Sequence, residues 1–311
     1  MSQLRILDGG MSRELIRLGA ELRQPEWSAL ALMESSEIVG RVHREFIDAG
    51  ADVITTNSYA LVPFHIGEER FRSEGRSLIE LAGKLAREAA DERADRKVLV
   101  AGSLPPIFGS YEPERFDPER VQDYLKVLVE GLAPYVDVWL GETLSLIAEG
   151  DAVRAAVAAT GKPFWVSFTL TDEPGALEGD EPKLRSGETV AAAAAWAAGS
   201  GAEALLFNCS RPEVMARAVA VAAATFRDRR ANIGIGVYAN AFEAEEAEGA
   251  ANETLHHTRV DLTADRYSRF ACDWVEAGAS IVGGCCGIGA RHIHNLARSL
   301  RFPPGSVIRD R

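Results

Sequence analysis

The feature that most constrains the fold of this 311-residue chain is a series of eight short apolar runs, each followed by a helical stretch. The runs are continuously apolar and rich in Val, Ile and aromatic residues, which is typical of strands buried on both faces of a parallel sheet. We therefore predict strands at residues 5–8, 51–57, 97–103, 136–142, 162–170, 203–209, 232–240 and 280–286.

The segments between the runs are amphipathic, for example SEIVGRVHREFIDAG and DRYSRFACDWVEAG, and Ser36 and Thr263 are candidate helix caps. Three helix-to-strand junctions resemble one another: DAGADVITTN, GSGAEALLFN and EAGASIVGGC. In each junction a glycine closes the helix, and an alanine or serine leads into the next strand. One supersecondary unit is therefore repeated along the chain.

Eight strand–helix units in about 300 residues predict an α/β fold of the (β/α)₈ TIM-barrel class. A doubly wound open sheet is the main alternative, but no GxGxxG motif follows the first predicted strand. No linker-like stretch divides the chain, so we expect one domain over residues 1–311. The long segments after the third, fifth and seventh strands place the functional face at the carboxyl ends of the strands.

Composition excludes several classes of protein. The formal net charge of -12 and the pI near 5.1 argue against a nucleic-acid-binding protein, which needs a basic face. No apolar run approaches the roughly 20 residues of a membrane span, and the amino terminus MSQLRILDGG has no signal-peptide core. We expect a cytoplasmic enzyme that acts on small molecules, as a monomer or small homo-oligomer.

Polar residues stand at the carboxyl ends of most predicted strands. In a closed barrel these ends surround one central mouth, so the whole set is a candidate site. The set comprises Asp8, Asn57, Ser103, Glu142, Asn208, Cys209, Asn240, Cys285 and Cys286.

The cysteines carry the sharpest signal. Four cysteines are too few for a disulfide framework, and a reducing compartment would keep them as thiols. Cys209 ends the sixth strand, Cys285 and Cys286 end the eighth, and the glycines of GGCCG permit the turn that aims both neighbouring sulfurs at one ion. Three thiolates with one open position form a catalytic zinc arrangement. We interpret Cys272, in the middle of a helix, as a packing residue.

Other residue types give weaker signals. No HExxH motif occurs, so we interpret His256, His257, His292 and His294 as surface or packing residues. The carboxylates of Asp8 and Glu142 favour binding of a zwitterion's amine over a general acid–base pair, because no histidine or lysine complements them.

The motifs resemble those of the homocysteine S-methyltransferase family, which includes betaine– and S-methylmethionine–homocysteine methyltransferases. They appear in family order along nearly the whole chain, and GGCCG with an upstream NC is the most specific pair. The matching pieces are DGGMSREL from Asp8, TTNSY from Thr55, GSLPP from Gly102, GET around Glu142, NCS from Asn208, YAN from Tyr238 and GGCCG from Gly283.

The resemblance implies a (β/α)₈ barrel with Zn²⁺ on Cys209, Cys285 and Cys286, and with the sulfur of homocysteine as fourth ligand. It also implies that Asp8, Gly9 and Glu142 hold the amino-acid end of homocysteine. The pocket would further be lined by Asn57, Asn208 and Asn240.

The chain departs from the family pattern at two places that bear on the donor. Leu206 stands where many relatives have glycine, and YANAFE replaces YPNSGE, which would put Ala239, Ala241 and Phe242 at the mouth. We expect S-methylmethionine or S-adenosylmethionine as the methyl donor, with betaine as a further possibility. Three aromatic residues in long loops could contact a donor cation: Phe108, Tyr111 and Phe242.

The predicted function is transfer of a methyl group from a sulfonium or ammonium donor to the zinc-bound thiolate of L-homocysteine, which gives methionine; a close thiol or selenol analogue is an alternative acceptor. Two other readings of the residues stay open. One is a non-catalytic redox protein in which Cys285 and Cys286 alternate between dithiol and disulfide. The other is a barrel lyase or hydrolase that uses Asp8 and Glu142 with a hard metal.

Overall fold

A computed structural model of the chain describes residues 4–173, 175–176, 181–242 and 258–301. This part contains eight strands in one sheet with the order β1-β8-β7-β6-β5-β4-β3-β2, and every neighbouring pair is parallel. All eight predicted strands are confirmed. The strands are β1 (Arg5–Ile6), β2 (Val53–Thr55), β3 (Leu99–Leu104), β4 (Val138–Leu144), β5 (Phe164–Phe168), β6 (Ala204–Asn208), β7 (Gly234–Ala239) and β8 (Ile281–Gly284).

The sheet closes between its first and second strands, which confirms the barrel over the open-sheet alternative. The closure is short, because β1 has two residues and meets β2 through one isolated parallel bridge between Leu7 and Val53. The Asp8 backbone amide donates to the Val53 carbonyl over 3.0 Å. Side-chain carboxylates extend this seam: Asp52 accepts from the Ile6 amide at 2.9 Å, and Asp8 accepts from the Thr55 amide at 2.7 Å.

Twelve α-helices surround the barrel in the described part of the chain. Thr263 caps its helix by accepting from the Arg266 amide, as predicted, whereas the helix expected to be capped by Ser36 begins at that residue and follows Ser35, which makes no capping side-chain bond. The helices are α1 (Met11–Arg17), α2 (Ala29–Glu34), α3 (Ser36–Ala49), α4 (Pro63–Ile66), α5 (Glu68–Arg70), α6 (Arg76–Asp91), α7 (Val121–Leu132), α8 (Ile147–Val157), α9 (Val190–Ser200), α10 (Pro212–Arg229), α11 (Ala264–Ala277) and α12 (Ala290–Arg301).

The three similar junctions end their helices as predicted. Gly50, Gly201 and Gly278 follow α3, α9 and α11 with φ of 110°, 82° and 125°, a conformation that favours glycine. Each helix thereby reaches its strand within a few residues. The connections after β3, β5 and β7 are much longer, so the elaborated face of the barrel is the carboxyl face, as predicted.

The core has two layers. Inward-facing side chains fill the barrel, and a larger apolar layer packs the strands against the helices. Leu206 belongs to the inner layer and pairs in register with Gly236, where a side chain would collide with it. The leucine that departs from the family pattern is therefore accommodated by a glycine on the neighbouring strand.

In the described parts of the chain, every helix is too short or too polar to cross a bilayer.

Candidate metal centre and active-site cavity

A cavity opens at the carboxyl ends of the strands and contains most of the predicted site. Three groups of side chains meet there: the sulfurs of Cys209, Cys285 and Cys286, two buried carboxyl groups, and several aromatic rings. The lining residues include Asp8, Gly9, Gly10, Arg13, Trp27, Asn57, Tyr59, Tyr111, Glu142, Thr143, Cys209, Tyr238, Phe242, Cys285 and Cys286.

The local backbone explains how two adjacent cysteines face the same point. β8 ends at Gly284, so Cys285 and Cys286 lie in a turn and are free of the alternation that a strand imposes. The Cys285 amide donates to the Ala239 carbonyl at 2.9 Å, and the Cys286 carbonyl accepts from the Ala241 amide at 2.8 Å. Gly287 then turns the chain with a φ of 81°, the role predicted for the glycines of GGCCG, whereas Gly283 and Gly284 lie within β8.

The sulfurs of Cys209, Cys285 and Cys286 all lie within 4.8 Å of one another. Cys209 and Cys285 form a disulfide between residues 76 apart in sequence, and the Cys286 sulfur lies 4.0 Å from that of Cys285. The expectation that every cysteine is a free thiol is therefore wrong for two of them. The convergence that suits a shared metal ion also brings two thiols within bonding range. The pairing differs from the Cys285–Cys286 disulfide of the redox alternative.

The arrangement fits a zinc ion once the disulfide is reduced. Tetrahedral zinc with bonds of about 2.3 Å holds its sulfur ligands roughly 3.8 Å apart, close to the 4.0 Å between the Cys285 and Cys286 sulfurs. Soft thiolates select zinc over hard cations such as Mg²⁺. Within the described residues, these cysteines are the one group of three or more His, Cys, Asp or Glu side chains close enough to share an ion. Cys272 lies apart from them on α11 as a free, partly exposed thiol.

Two buried carboxyl groups form the acidic side of the cavity. Asp8 accepts from the Thr55 amide at 2.7 Å and from the Thr55 hydroxyl at 3.1 Å, and Glu142 accepts from the Tyr238 hydroxyl at 3.2 Å and from the Ser103 hydroxyl. Burial raises the pKa of Asp8 to about 8, although the Thr55 hydrogen bonds oppose this shift. Burial also raises the pKa of Glu142. Both groups would be stabilised in their charged form by a cationic amine.

The predicted asparagines occupy three different environments. Asn57 lines the cavity, and its amide donates to the Ser28 carbonyl at 3.1 Å, which fixes the loop that carries Trp27. Asn208 is fully buried and is not among the lining residues, because its side chain bonds to Thr143 and Ser167. Asn240 is 5% exposed and also lies outside the lining set. Gly9 lines the cavity next to Asp8.

Backbone strain is concentrated at this cavity. Among the described residues, five that are not glycine have a positive φ, and four of these line the cavity. Such conformations cost about 1–3 kcal/mol each and persist where the surrounding structure enforces them, which is typical of functional sites. The four residues are Trp27, Tyr111, Thr143 and Cys209, with φ of 50°, 69°, 61° and 47°.

The aromatic residues differ in how much of each ring a ligand could reach. Phe242 and Tyr111 line the cavity, whereas Phe108 packs edge-on against Tyr124 outside the lining set. One face of the Tyr111 ring is covered by the Arg185 guanidinium, which lies 4.2 Å from the ring centroid. The Tyr111 hydroxyl donates to the Cys209 carbonyl at 3.0 Å, so Tyr111 buttresses the cysteine turn.

Several residues that line the cavity lie outside the set of strand-end residues predicted from the sequence. Trp27 and Arg13 lie in the segments that follow β1, and Thr143 follows Glu142 inside β4. Tyr59 and Tyr238 belong to the motifs TTNSY and YAN, which could have identified them.

The structure also places several residues away from the mouth. Ala239 and Ala241 pack in the outer apolar layer instead of the expected position at the mouth, because their side chains are turned away from the barrel axis. His292 is partly buried against the Leu262 carbonyl and His294 is exposed, as predicted, while His256 and His257 lie outside the described residues.

Comparisons of the sequence with a family model and with curated proteins lead to methyltransferases. A family model described as homocysteine S-methyltransferase matches residues 5–300. Homocysteine S-methyltransferase 1 of Arabidopsis thaliana is 27% identical, over 95% of this chain and 93% of its own length. The selenocysteine Se-methyltransferase of Brassica oleracea is 28% identical, over 90% of this chain and 84% of its own length.

A solved structure extends the similarity to the fold. The metallated form of the homocysteine methyltransferase from Escherichia coli superposes with a TM-score of 0.75 at 26% identity, covering 95% of this chain and 96% of that one. An oxidized form of the same enzyme gives a TM-score of 0.74 at 27% identity, covering 94% of each chain.

Proposed function

The chain belongs to the homocysteine S-methyltransferase family and is a methyltransferase, and from this premise we propose that it methylates the thiolate of L-homocysteine on a zinc ion held by Cys209, Cys285 and Cys286, with a sulfonium compound as donor. The observation that carries this proposal is the convergence of three sulfurs within 4.8 Å, in a cavity that also contains two buried carboxyl groups. We favour S-methylmethionine or S-adenosylmethionine over betaine.

The chemistry follows from the charges that the chain supplies. Zinc bound by three thiolates would offer one open position at which a substrate thiol is held as the reactive thiolate. Asp8 and Glu142 would hold the substrate ammonium group and thereby orient the acceptor. Because three protein thiolates would leave the zinc centre with a net negative charge, the cavity favours a cationic donor over a neutral one.

Alignment of the two substrates is the remaining task of the protein. Trp27, Tyr59 and Phe242 line the cavity and could contact the donor cation, whereas Tyr111 has one face already covered by Arg185. Holding two reactants in line can lower a barrier by about 7–11 kcal/mol. No side chain is required as a general base during transfer, because the acceptor is already deprotonated.

The proposal is tested by metal analysis and methyl transfer on one preparation. The protein is purified under reducing conditions, its zinc content is measured, and homocysteine is incubated with S-methylmethionine, S-adenosylmethionine, betaine or a dimethylsulfonium compound. We expect about one zinc per chain and methionine formation with a sulfonium donor. Full activity of the metal-free protein would refute the zinc mechanism, and selenocysteine as a parallel acceptor tests the selenol alternative.

The substrate assignment has a separate test. Replacement of Glu142 by alanine removes one partner of the substrate ammonium, so we expect the KM for homocysteine to rise by about tenfold or more. The Ser103 and Tyr238 hydroxyls that Glu142 now accepts from would remain in place. Unchanged homocysteine kinetics in Glu142→Ala would remove Glu142 from the binding site.

A further inference from the structure

The residues that line the cavity include both acidic and basic side chains. Among the described residues that line the cavity, Arg13 is the single Lys or Arg side chain, whereas Asp8, Glu142 and the cysteines supply the acidic groups. Arg13 lies on α1, which begins directly after the strand end that carries Asp8. The resemblance assigned no role to this position.

Arg13 and the three cysteines line the same cavity. Arg13 is partly exposed, whereas Asp8 and Glu142 are 6% and 8% exposed. The lining of the cavity therefore combines two buried acidic residues with a partly exposed arginine.

We propose that Arg13 binds the carboxylate of an amino-acid substrate, which makes the cavity selective for zwitterions. This inference rests on the proposed function and deepens it. A zwitterion needs partners of both signs, and Asp8 and Glu142 serve only the ammonium group. The planar guanidinium can donate two parallel hydrogen bonds to a carboxylate, a geometry that a lysine ammonium does not reproduce.

Homocysteine and the sulfonium amino acids both carry such a carboxylate, so the carboxylate that Arg13 binds could belong to the acceptor or to the donor. If Arg13 binds the donor, it discriminates S-methylmethionine from its methyl ester. If Arg13 binds the acceptor, it discriminates homocysteine from 3-aminopropane-1-thiol, which lacks the carboxylate. Each comparison changes one substrate while the other is held constant.

The experiment uses reduced, zinc-loaded wild-type protein, Arg13→Gln, Arg13→Lys and the control Arg17→Gln. Arg17 lies one turn further along α1, pairs with Glu14 at 2.7 Å and with Glu45, and does not line the cavity. Steady-state kinetics are measured with each of the four substrates. Calorimetric binding of L-methionine and methioninol provides a readout that does not depend on turnover.

We expect Arg13→Gln to lower kcat/KM by about tenfold to a hundredfold for the substrate whose carboxylate it binds, and to leave its carboxylate-free analogue within about twofold. Arg13→Lys should recover part of this loss, and Arg17→Gln should match the wild type. The substrate that shows this selective loss, relative to its carboxylate-free analogue, is the one whose carboxylate Arg13 binds.

Two results would overturn the inference. Equal losses with and without the carboxylate would mean that Arg13 does not act through the substrate carboxylate, and the absence of any loss would mean that it contacts neither substrate. Both results require an active wild-type enzyme. Failure of the proposed function is distinct, because the wild type would then transfer no methyl group from any donor.

Discussion

At the level of single residues, the ionisation of Asp8 connects ligand binding to pH. Burial raises the pKa of Asp8 to about 8, so the free carboxyl group is largely protonated at neutral pH. A bound ammonium stabilises the carboxylate and lowers this pKa, so binding should release a proton. The release should fade as the pH rises above about 8, where the free protein is already ionised.

Methionine is the suitable probe, because its thioether does not ionise. Calorimetry in buffers of different ionisation enthalpy should detect up to about one proton released per methionine near neutral pH, and little release in Asp8→Asn. Undiminished release in that variant would assign the proton to another group.

Asp8 also makes the stability of the protein depend on pH, with the opposite sign to the usual aspartate. Because its pKa is higher in the folded than in the unfolded state, its contribution to the free energy of unfolding is lost as the pH rises from about 4 to about 8.

The metal ligands give a second prediction at this scale. In Cys285→Ser a hydroxyl replaces a soft thiolate, so we expect zinc to be lost and methyl transfer to fall by at least about a hundredfold, because even changes in residues behind the ligands cost 10–100-fold. Cys272→Ser is the matched control, because Cys272 is a free thiol on α11 outside the cavity. Circular dichroism should show both variants folded. A full complement of zinc in Cys285→Ser would exclude that residue as a ligand.

The sequence could identify those site residues whose position follows from the barrel alone. Asp8, Glu142 and the three cysteines stand at or just beyond strand ends, and the structure brings all of them to one cavity. Asn208 has the same kind of position, but whether a side chain enters the cavity depends on its local direction, and that of Asn208 bonds to neighbouring strands. Arg13 and Trp27 lie on a helix and a loop, to which the strand-end rule does not apply.

At the level of secondary-structure elements, Asn208 links three strands. Its side-chain oxygen accepts from the Thr143 amide at 3.0 Å and from the Ser167 hydroxyl at 2.7 Å, and its nitrogen donates to the Thr143 hydroxyl at 2.9 Å. These bonds join β4, β5 and β6 below the cavity and hold Thr143 in its strained conformation, directly after Glu142.

Removal of this link should therefore be costly. Asn208→Ala leaves buried polar groups unsatisfied, and we expect it to lower the free energy of unfolding by about 2–4 kcal/mol. Asn240→Ala is the control. Among the described residues, the Asn240 side chain has a single hydrogen bond, a long one of 3.4 Å from the Phe242 amide, so this substitution should cost about 1 kcal/mol or less. Urea denaturation measures both values. Equal losses would mean that the link does not stabilise the barrel.

The elements themselves were predictable because their signals are local. Apolar runs and helix-ending glycines indicated all eight strands, and the structure confirms them. The closure between β1 and β2 was not predictable in detail, since it consists of one bridge supplemented by the carboxylates of Asp8 and Asp52. Hydrogen bonds in which a side-chain carboxylate replaces a backbone carbonyl depend on tertiary contacts, and a local sequence pattern does not indicate them.

At the level of the whole molecule, the sulfur cluster joins parts of the chain that are distant in sequence. The disulfide between Cys209 and Cys285 spans 76 residues, from the end of β6 to the turn after β8. A zinc ion on the same cysteines would close the same loop. The disulfide restricts the unfolded chain, and for a loop of this size the restriction corresponds to about 4.5 kcal/mol in the chain-entropy description. Zinc would instead stabilise the folded state by binding to it, because the unfolded chain holds no preformed site.

The expected order of stability follows from these two effects. The reduced, metal-free protein should be the least stable form, and either oxidation or zinc should raise the free energy of unfolding, zinc by about 2.7 kcal/mol at a free concentration one hundred times its Kd. Denaturation of the three forms measures the differences. Because the barrel is expected to unfold as one domain, both cross-links should shift a single transition. Cys209→Ser should remove both effects and Cys272→Ser neither. Equal stability of the reduced metal-free and zinc-loaded forms would show that no ion bridges β6 and β8, and the proposed metal centre would then fail with it.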